Sequence, residues 1–214
     1  SLKKGSLILD FCVTGLFFFL FWPNPISQNI QTIRFISLHE SIQRRKTFLK
    51  NYNKSKIENL VPLWQHATKP SQSLGPMNTG ETGAYLSHMK ALKNIAKYSG
   101  NDWHLICEDD ATGNFSLLPN MLKRVKNRPA LPSIQLINLY SPKKIDGRGF
   151  GTRLTAYLVT PSGARLASNI LAETRFSKPV DVALAESLSI IFHSISLSGI
   201  IFPTGEKSTI LGHK

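Results

Sequence analysis

The sequence predicts an α/β fold, with a mainly parallel sheet flanked by helices on both faces. Three observations carry this expectation. From Thr32 onward, short apolar runs alternate with helical patterns. The run Trp103-His104-Leu105-Ile106-Cys107 shows little alternation, as suits a strand buried on both faces. It leads straight into three carboxylates, Glu108-Asp109-Asp110, and open α/β sheets carry their ligand-binding groups at the carboxyl ends of strands.

The elements follow in order. Thr32 to Leu38 is the first strand, and His39-Glu40-Ser41 turns the chain. Ser41 is placed to cap a helix from Ile42 to Tyr52. Ile57 to Trp64 is a weaker apolar segment suited to a strand. A loop rich in Pro, Ser and Gly runs from Thr68 to Gly80. Thr82 to Tyr98 is the clearest helix, with Tyr85, His88, Leu92 and Ile95 on one face and Thr79 as its expected cap. Gly100 ends it before the acid-terminated strand. Phe115 to Lys126 reads as a helix, and Ile134 to Tyr140 as a strand. Ser141 to Gly151 is a basic, Gly-rich loop with Lys143, Lys144 and Arg148. Thr152 to Thr160 alternates like a strand, and Pro161 opens a helix through Leu171. Val182 to Leu188 suits a short helix, and Ile190 to Phe202 one or two strands. No internal repeat or inter-domain linker interrupts residues 32–214, which read as one domain.

Composition narrows the partners. The 214 residues carry 26 Lys+Arg against 13 Asp+Glu, a formal net charge of +13. That excess favours anionic partners such as nucleotide phosphates or a membrane surface. The basic residues are dispersed and no nucleic-acid-binding motif occurs, so nucleic acid is not expected as a partner. Cys12 and Cys107 are the only cysteines and imply neither a disulfide framework nor a zinc site.

Residues 1–31 stand apart. Ser6 to Trp22 is strongly apolar, preceded by Lys3 and Lys4 and followed by Pro23 and Pro25. The stretch is near the short end of a membrane span, with Asp10 close to one end. It has no Ala-x-Ala cleavage pattern, so an anchor fits better than a cleaved leader.

Six segments together resemble glycosyltransferase family 25, the lipopolysaccharide-biosynthesis type of galactosyltransferase, whose relatives glycosylate collagen hydroxylysine. They are Ile36-Ser37-Leu38 with Arg44-Arg45 and Phe48; Thr79-Gly80-Glu81-Thr82-Gly83-Ala84-Tyr85-Leu86-Ser87-His88; Ile106-Cys107-Glu108-Asp109-Asp110; Gly151-Thr152 with Ala156-Tyr157-Leu158 and Gly163-Ala164; Pro179-Val180-Asp181; and Pro203 with Ser208-Thr209-Ile210. The resemblance spans Thr32 to Ile210. It implies a GT-A-like, Rossmann-related fold, a nucleotide-sugar donor (usually UDP-galactose) and inversion at the anomeric carbon. The chain departs from the family pattern at Ala84, Cys107 and Leu63-Trp64-Gln65-His66-Ala67, the last lying on the donor side.

Glycosyl transfer needs the leaving diphosphate neutralised, the acceptor hydroxyl deprotonated, and both reactants aligned. Mn²⁺ or Mg²⁺ meets the first need, and the acid triplet is the expected place for it. Alternate residues of a strand end face the same way, so Asp110 is the expected direct metal ligand, with Glu108 on the metal through water or on the donor ribose. Asp109 is expected to bind donor hydroxyls or neighbouring backbone. Read alone, the triplet is also compatible with a solvated turn. Asp181 is the candidate general base, with an N-cap for a helix at Val182 as its structural alternative. Arg44 is a candidate diphosphate contact, or else part of a solvated helix face. Glu81 and His88 are expected to shape the donor pocket or support the acid-bearing strand. Lys143, Lys144 and Arg148 suit a closing loop, and His193 and His213 are further metal candidates. The expected partners are a UDP-sugar, a glycan or lipid-linked glycan acceptor, and a membrane surface. The enzyme would act at the cytoplasmic face if bacterial, or in the ER or Golgi lumen as a single-span anchored protein. The rival expectation is a catalytically inactive GT-A-fold module that binds glycan.

Overall fold

The computed structural model describes residues 27–126, 134–140, 150–191, 194–196 and 200–204. The apolar segment Ser6 to Trp22, the basic loop with Lys143, Lys144 and Arg148, and His193, Ser208, Thr209, Ile210 and His213 lie outside them. Among the described residues, no helix is long and apolar enough to cross a membrane.

The strands are β1 (Ile30–Ser37), β2 (Pro62–His66), β3 (Trp103–Glu108), β4 (Ala111–Gly113), β5 (Leu136–Asn138), β6 (Ala156–Val159), β7 (Ser194–Ser196) and β8 (Ile201–Pro203). The α-helices are α1 (Ile42–Asn53), α2 (Thr79–Ile95), α3 (Leu118–Lys126), α4 (Pro161–Thr174) and α5 (Val180–Ile191), with a short 3₁₀ turn at Phe115–Leu117 before α3. Six strands form one sheet in the order β2-β1-β3-β6-β5-β7, and β4 pairs with β8 in a separate two-stranded ladder.

The mainly parallel sheet is present, with one reversal. β1 runs parallel to β2 and β3, and β5 to β7, while β6 is antiparallel to both β3 and β5. A parallel neighbour requires a crossover of a dozen or more residues, usually helical. The β5-to-β6 stretch carries Gly-rich loop sequence with no helical pattern, so it favours an antiparallel return.

Both faces of the sheet are buried, which is why β3 lacks alternation. Ile33, Phe35, Leu105, Cys107, Ile137 and Leu158 pack with Phe48 and Tyr52 of α1 and with Phe115, Met121 and Leu122. The opposite face presents Ile36, Ile106, Leu136, Tyr157 and Val159 to Tyr85, Leu92 and Ile95 of α2, Ala164, Ala167 and Leu171 of α4, and Leu184 and Leu188 of α5. Each fully buried large side chain in this set contributes roughly 1.5–3 kcal/mol of transfer free energy.

Several boundaries differ from expectation. The first strand starts at Ile30, before Thr32, because Trp103 N–H donates to the Asn29 carbonyl and Trp103 Nε1 to the Ser27 carbonyl, both at 2.9 Å. The second strand falls at Pro62–His66, later than the Ile57 to Trp64 expected. The long helix covers Thr79–Ile95, three residues earlier than the 82–98 pattern. Asn78, not Thr79, is its cap. The Asn78 side chain accepts from Glu81 N–H and the Glu81 carboxylate from Asn78 N–H, both at 2.9 Å, a reciprocal box that satisfies two orphan donors. Ser41 stands at the start of α1 but makes no side-chain capping bond. The apolar stretch from Ile190 yields two short strands, after its first residues complete α5.

Gly163 sets the packing of α4 against the chain entering β5. A Cβ there would stand 2.5 Å from the Gln135 carbonyl oxygen, which also accepts the Thr160 N–H at 3.0 Å. Alanine gains up to about 1 kcal/mol in helix propensity. Overpacking against backbone costs about 1–3 kcal/mol and dominates. Gly163→Ala should therefore lower the urea midpoint, and an unchanged or higher midpoint would show that α4 can shift freely.

Candidate active site

The acid triplet sits where β3 leaves the main sheet. Ser37 ends β1 next to it, and the chain then enters β4, held by Thr204 N–H donating to the Asp110 carbonyl at 2.9 Å. Gly113 is required in β4: its φ is +143°, and a Cβ would lie 2.0 Å from the Ile200 carbonyl oxygen. The β4–β8 ladder thus fixes the path of the acids as they leave the sheet.

The three carboxylates have different environments. Asp109 is 2% exposed and points inward. Its Oδ2 accepts from Ser37 Oγ at 2.6 Å, and its Oδ1 accepts from Arg44 Nε at 2.7 Å and lies 2.5 Å from Arg44 Nη2. Burial pushes its carboxyl up from the ordinary value, against the lowering by Ser37 and Arg44. Arg44 is buried against the acids rather than on a solvated helix face, and its Nη2 also reaches Asp110 Oδ2 at 3.7 Å. Asp109 and Arg44 form the inner layer of the turn.

Asp110 is 7% exposed, and among the described residues its Oδ1 is buried without a hydrogen-bond partner. Burial, and next the charge of Glu108, raise its pKa to about 7, against the pull of Arg44. An ionised carboxylate oxygen left bare in this way is costly unless something cationic arrives. The hydroxyl of Thr204, the residue that bonds the Asp110 carbonyl, is buried and unpartnered as well. Glu108 is partly exposed, its Oε1 lies 3.5 Å from His88 Nε2, and its backbone N–H donates to the Thr155 carbonyl at 2.8 Å.

This donor set fits a hard divalent cation. Such ions are commonly held by one or two carboxylates plus phosphate oxygens and water. Asp110 offers an unpaired oxygen and Glu108 a second carboxylate two residues away. Among the described residues, no group of three or more His, Cys, Asp or Glu side chains is placed to hold a metal ion, so a cation at Asp110 and Glu108 would need substrate phosphate or water at its remaining positions.

Asp181 lies in the first turn of α5, which begins at Val180, so it does not cap a helix at Val182. Its Oδ1 accepts Val182 N–H at 2.9 Å and its Oδ2 accepts Arg153 N–H at 3.0 Å. Arg153 has a left-handed backbone, φ +69°, and Gly151 has φ +67°. The buried Asn138 amide donates to the Phe150 carbonyl at 2.7 Å and to the Arg153 carbonyl at 3.1 Å. Asn138 and Asp181 thereby hold residues 150–153 in an irregular turn. Two residues on, Thr155 bonds Glu108, which ties Asp181 to the acid turn through one short segment. Glu81, by contrast, uses a carboxylate oxygen in the cap of α2.

Sequence reasoning gave no role to Ser37, Asn138, Arg153, Tyr157 or Thr204. The available signal was a polar side chain inside or just after an apolar strand, as at Ser37 and Asn138. On the other side of β1, Trp64 meets both a charge and a ring: Arg45 lies 4.0 Å from its ring centre and His66 stacks at 3.8 Å. Trp64 Nε1 donates to the Ser37 carbonyl at 3.1 Å. The departure at Leu63 to Ala67 is therefore a built aromatic edge.

No protein-family model matches the chain, and no curated protein matches it. Among solved structures, a glycosyltransferase involved in glycosylation of the major capsid of PBCV-1 superposes with TM-score 0.52 at 10% identity, covering 83% of this chain and 95% of that one. The apo form of the glycosyltransferase GlyE of Streptococcus pneumoniae TIGR4 gives TM-score 0.48 at 13% identity, covering 79% of this chain and 45% of that one. At such identity the likeness concerns architecture: the chain has a GT-A-like α/β fold.

Proposed function

We propose that the chain is a metal-dependent, inverting glycosyltransferase of the family 25 type. It moves a hexose, galactose in the first instance, from a UDP-sugar to a hydroxyl of a glycan or lipid-linked glycan. The observation that carries this is the bare, buried Asp110 Oδ1 at the end of β3, beside Glu108. An inactive glycan-binding module has no use for so costly a group.

Asp110 and Glu108 would hold Mn²⁺ or Mg²⁺, which neutralises negative charge developing on the leaving diphosphate. Arg44 and Asp109 keep the turn in place beneath them, and Arg44 places positive charge next to Asp110. The stacked His66, exposed at the carboxyl edge of β2, stands two strand spacings from β3, about 10 Å. That span suits a nucleoside whose diphosphate lies at the acids. Asp181, on the opposite side, takes the acceptor proton as the acceptor oxygen bonds the anomeric carbon and the carbon–oxygen bond to UDP breaks. The +13 charge supports work at an anionic membrane surface, and a bacterial member using cytoplasmic UDP-sugar would work at the inner face.

A panel of nucleotide sugars, each with and without Mn²⁺, tests the reading. Metal-dependent release of UDP from UDP-galactose is expected, with transfer when an acceptor glycan is added. Glycan binding without turnover of any donor would favour the inactive module. Asp181→Asn should lower turnover by about 10²–10⁴-fold, the range of a lost general base, with donor affinity far less affected. Collapse of donor affinity with unchanged saturating turnover would remove Asp181 from the base role and leave it as the anchor of residues 150–153.

A further inference from the structure

His88 and Tyr157 form a buried pair behind Glu108 that the proposed chemistry does not yet use. The register pairs Ile106 of β3 with Tyr157 of β6, so Tyr157 projects from the same sheet face as Ile106 and Glu108. Helix α2 lays His88 over that face. His88 is 1% exposed and Tyr157 fully buried. His88 Nδ1 lies 3.1 Å from Tyr157 Oη, and His88 Nε2 lies 3.5 Å from Glu108 Oε1.

This chain of contacts fixes the tautomer. Among the described residues, Tyr157 Oη has no other hydrogen-bond partner. A buried hydroxyl that donates to nothing is costly, so its proton goes to His88 Nδ1. A neutral imidazole then carries its hydrogen on Nε2, the nitrogen 3.5 Å from Glu108 Oε1. Phe150, edge-on to Tyr157 with ring centres 5.7 Å apart, packs against the phenol.

The geometry points to Tyr157 and His88 as positioning residues for metal binding: Tyr157 sets the His88 tautomer, and His88 Nε2–H orients the Glu108 carboxylate toward the cation. The inference rests on the metal role proposed above for Glu108 and Asp110. Hydrogen bonds to a ligating carboxylate orient it, and their loss typically costs 10–100-fold in metal affinity.

Mn²⁺ affinity of the otherwise intact chain, read from the EPR signal of free Mn²⁺, tests this without any turnover. A glutamine side chain places its amide N–H where Nε2 stood, and an asparagine amide reaches only the Nδ1 position. His88→Asn should weaken Mn²⁺ about tenfold, and His88→Gln should recover to within about threefold of wild type. Tyr157→Phe should weaken Mn²⁺ in the wild-type background but not in the His88→Gln background, since glutamine has no tautomer to set. Circular dichroism and the urea midpoint establish that each variant is folded. Equal Mn²⁺ affinity in wild type and folded His88→Asn overturns the inference. So does an equal Tyr157→Phe effect in both backgrounds, which would be a packing effect. Asp110→Asn separates the two levels of argument. If it too keeps wild-type Mn²⁺ affinity, the metal reading itself fails; if it loses Mn²⁺ while His88→Asn does not, only the present inference fails.

Discussion

Replacing Asp110 with asparagine is expected to abolish sugar transfer and, at the same time, to make the metal-free protein more stable above neutral pH. Both effects come from one oxygen. Oδ1 is buried and bare, and the group's pKa is raised from 3.8 to about 7, chiefly by burial and next by Glu108. In the unfolded chain the carboxyl ionises near its ordinary value. Between about pH 4 and 7 the folded state therefore holds a proton that the unfolded state has released, and folded stability falls as pH rises through that window. Three pKa units at 1.36 kcal/mol each set an upper bound of about 4 kcal/mol. Asparagine cannot ionise and escapes this cost. Its advantage should be on the order of 2–4 kcal/mol above pH 7 and should vanish by about pH 4. Added Mn²⁺ should reverse the ranking, because only the wild type gains stability by binding it. Transfer should fall by about 10²–10³-fold or more, the scale for losing one electrostatic stabiliser of a developing charge. Thermal midpoints across pH, with and without Mn²⁺, together with a transfer assay, check all of this. A variant with near-normal turnover, or one less stable than wild type at pH 8, would overturn the assignment.

The sequence made the outline legible where physics acts locally. The non-alternating run Trp103 to Cys107 is a strand with both faces covered, and the pattern says so directly. Pro161 starts α4, and Tyr85, His88, Leu92 and Ile95 share the buried face of α2. Most of what was hidden depends on contacts far apart in the chain; the cap of α2 is a local exception. Asn78 closes a cap that Thr79 was expected to make, since both residues suit the position and only the backbone geometry selects one. The reversed β6 follows from topology, although the Gly-rich sequence between β5 and β6, with no helical pattern, was a usable hint. The site shows the same division. That the triplet ends a central strand was readable; that its members diverge, Asp109 paired with Ser37 and Arg44 and Asp110 with one oxygen buried and unbonded, was not. Ser37 and Arg44 lie 72 and 65 residues away in sequence from Asp109. No periodicity encodes such pairs, and a helix-face reading of Arg44 pointed it to solvent.

Asp109→Ala should be the most destabilising single change at the site, costing about 3–5 kcal/mol. Breaking a buried ion pair by removing one member is strongly destabilising, and Arg44 is itself buried. Ser37 Oγ loses its acceptor in the same step. Against a typical domain stability of about 5–15 kcal/mol, this is roughly a fifth or more of the total. The loss has a second consequence. Arg44 Nη2 is already 3.7 Å from Asp110 Oδ2, so a released guanidinium has a carboxylate within reach. Once paired with Asp110, it competes with a cation for that group. Asp109→Ala should then lose Mn²⁺ binding even under conditions where it stays folded, though Asp109 is not itself a proposed metal ligand. Removing both charges separates the effects. Asp109→Leu with Arg44→Met replaces the pair by apolar side chains, and such replacements are often neutral or stabilising. The double variant should recover most of the urea midpoint lost by Asp109→Ala. It should also recover Mn²⁺ binding at Asp110, since no guanidinium remains to occupy it. Recovery of stability without recovery of Mn²⁺ would show that Asp109 takes part in holding the metal directly. A single variant as stable as wild type would mean that the Arg44–Asp109 pair does not hold the turn at all.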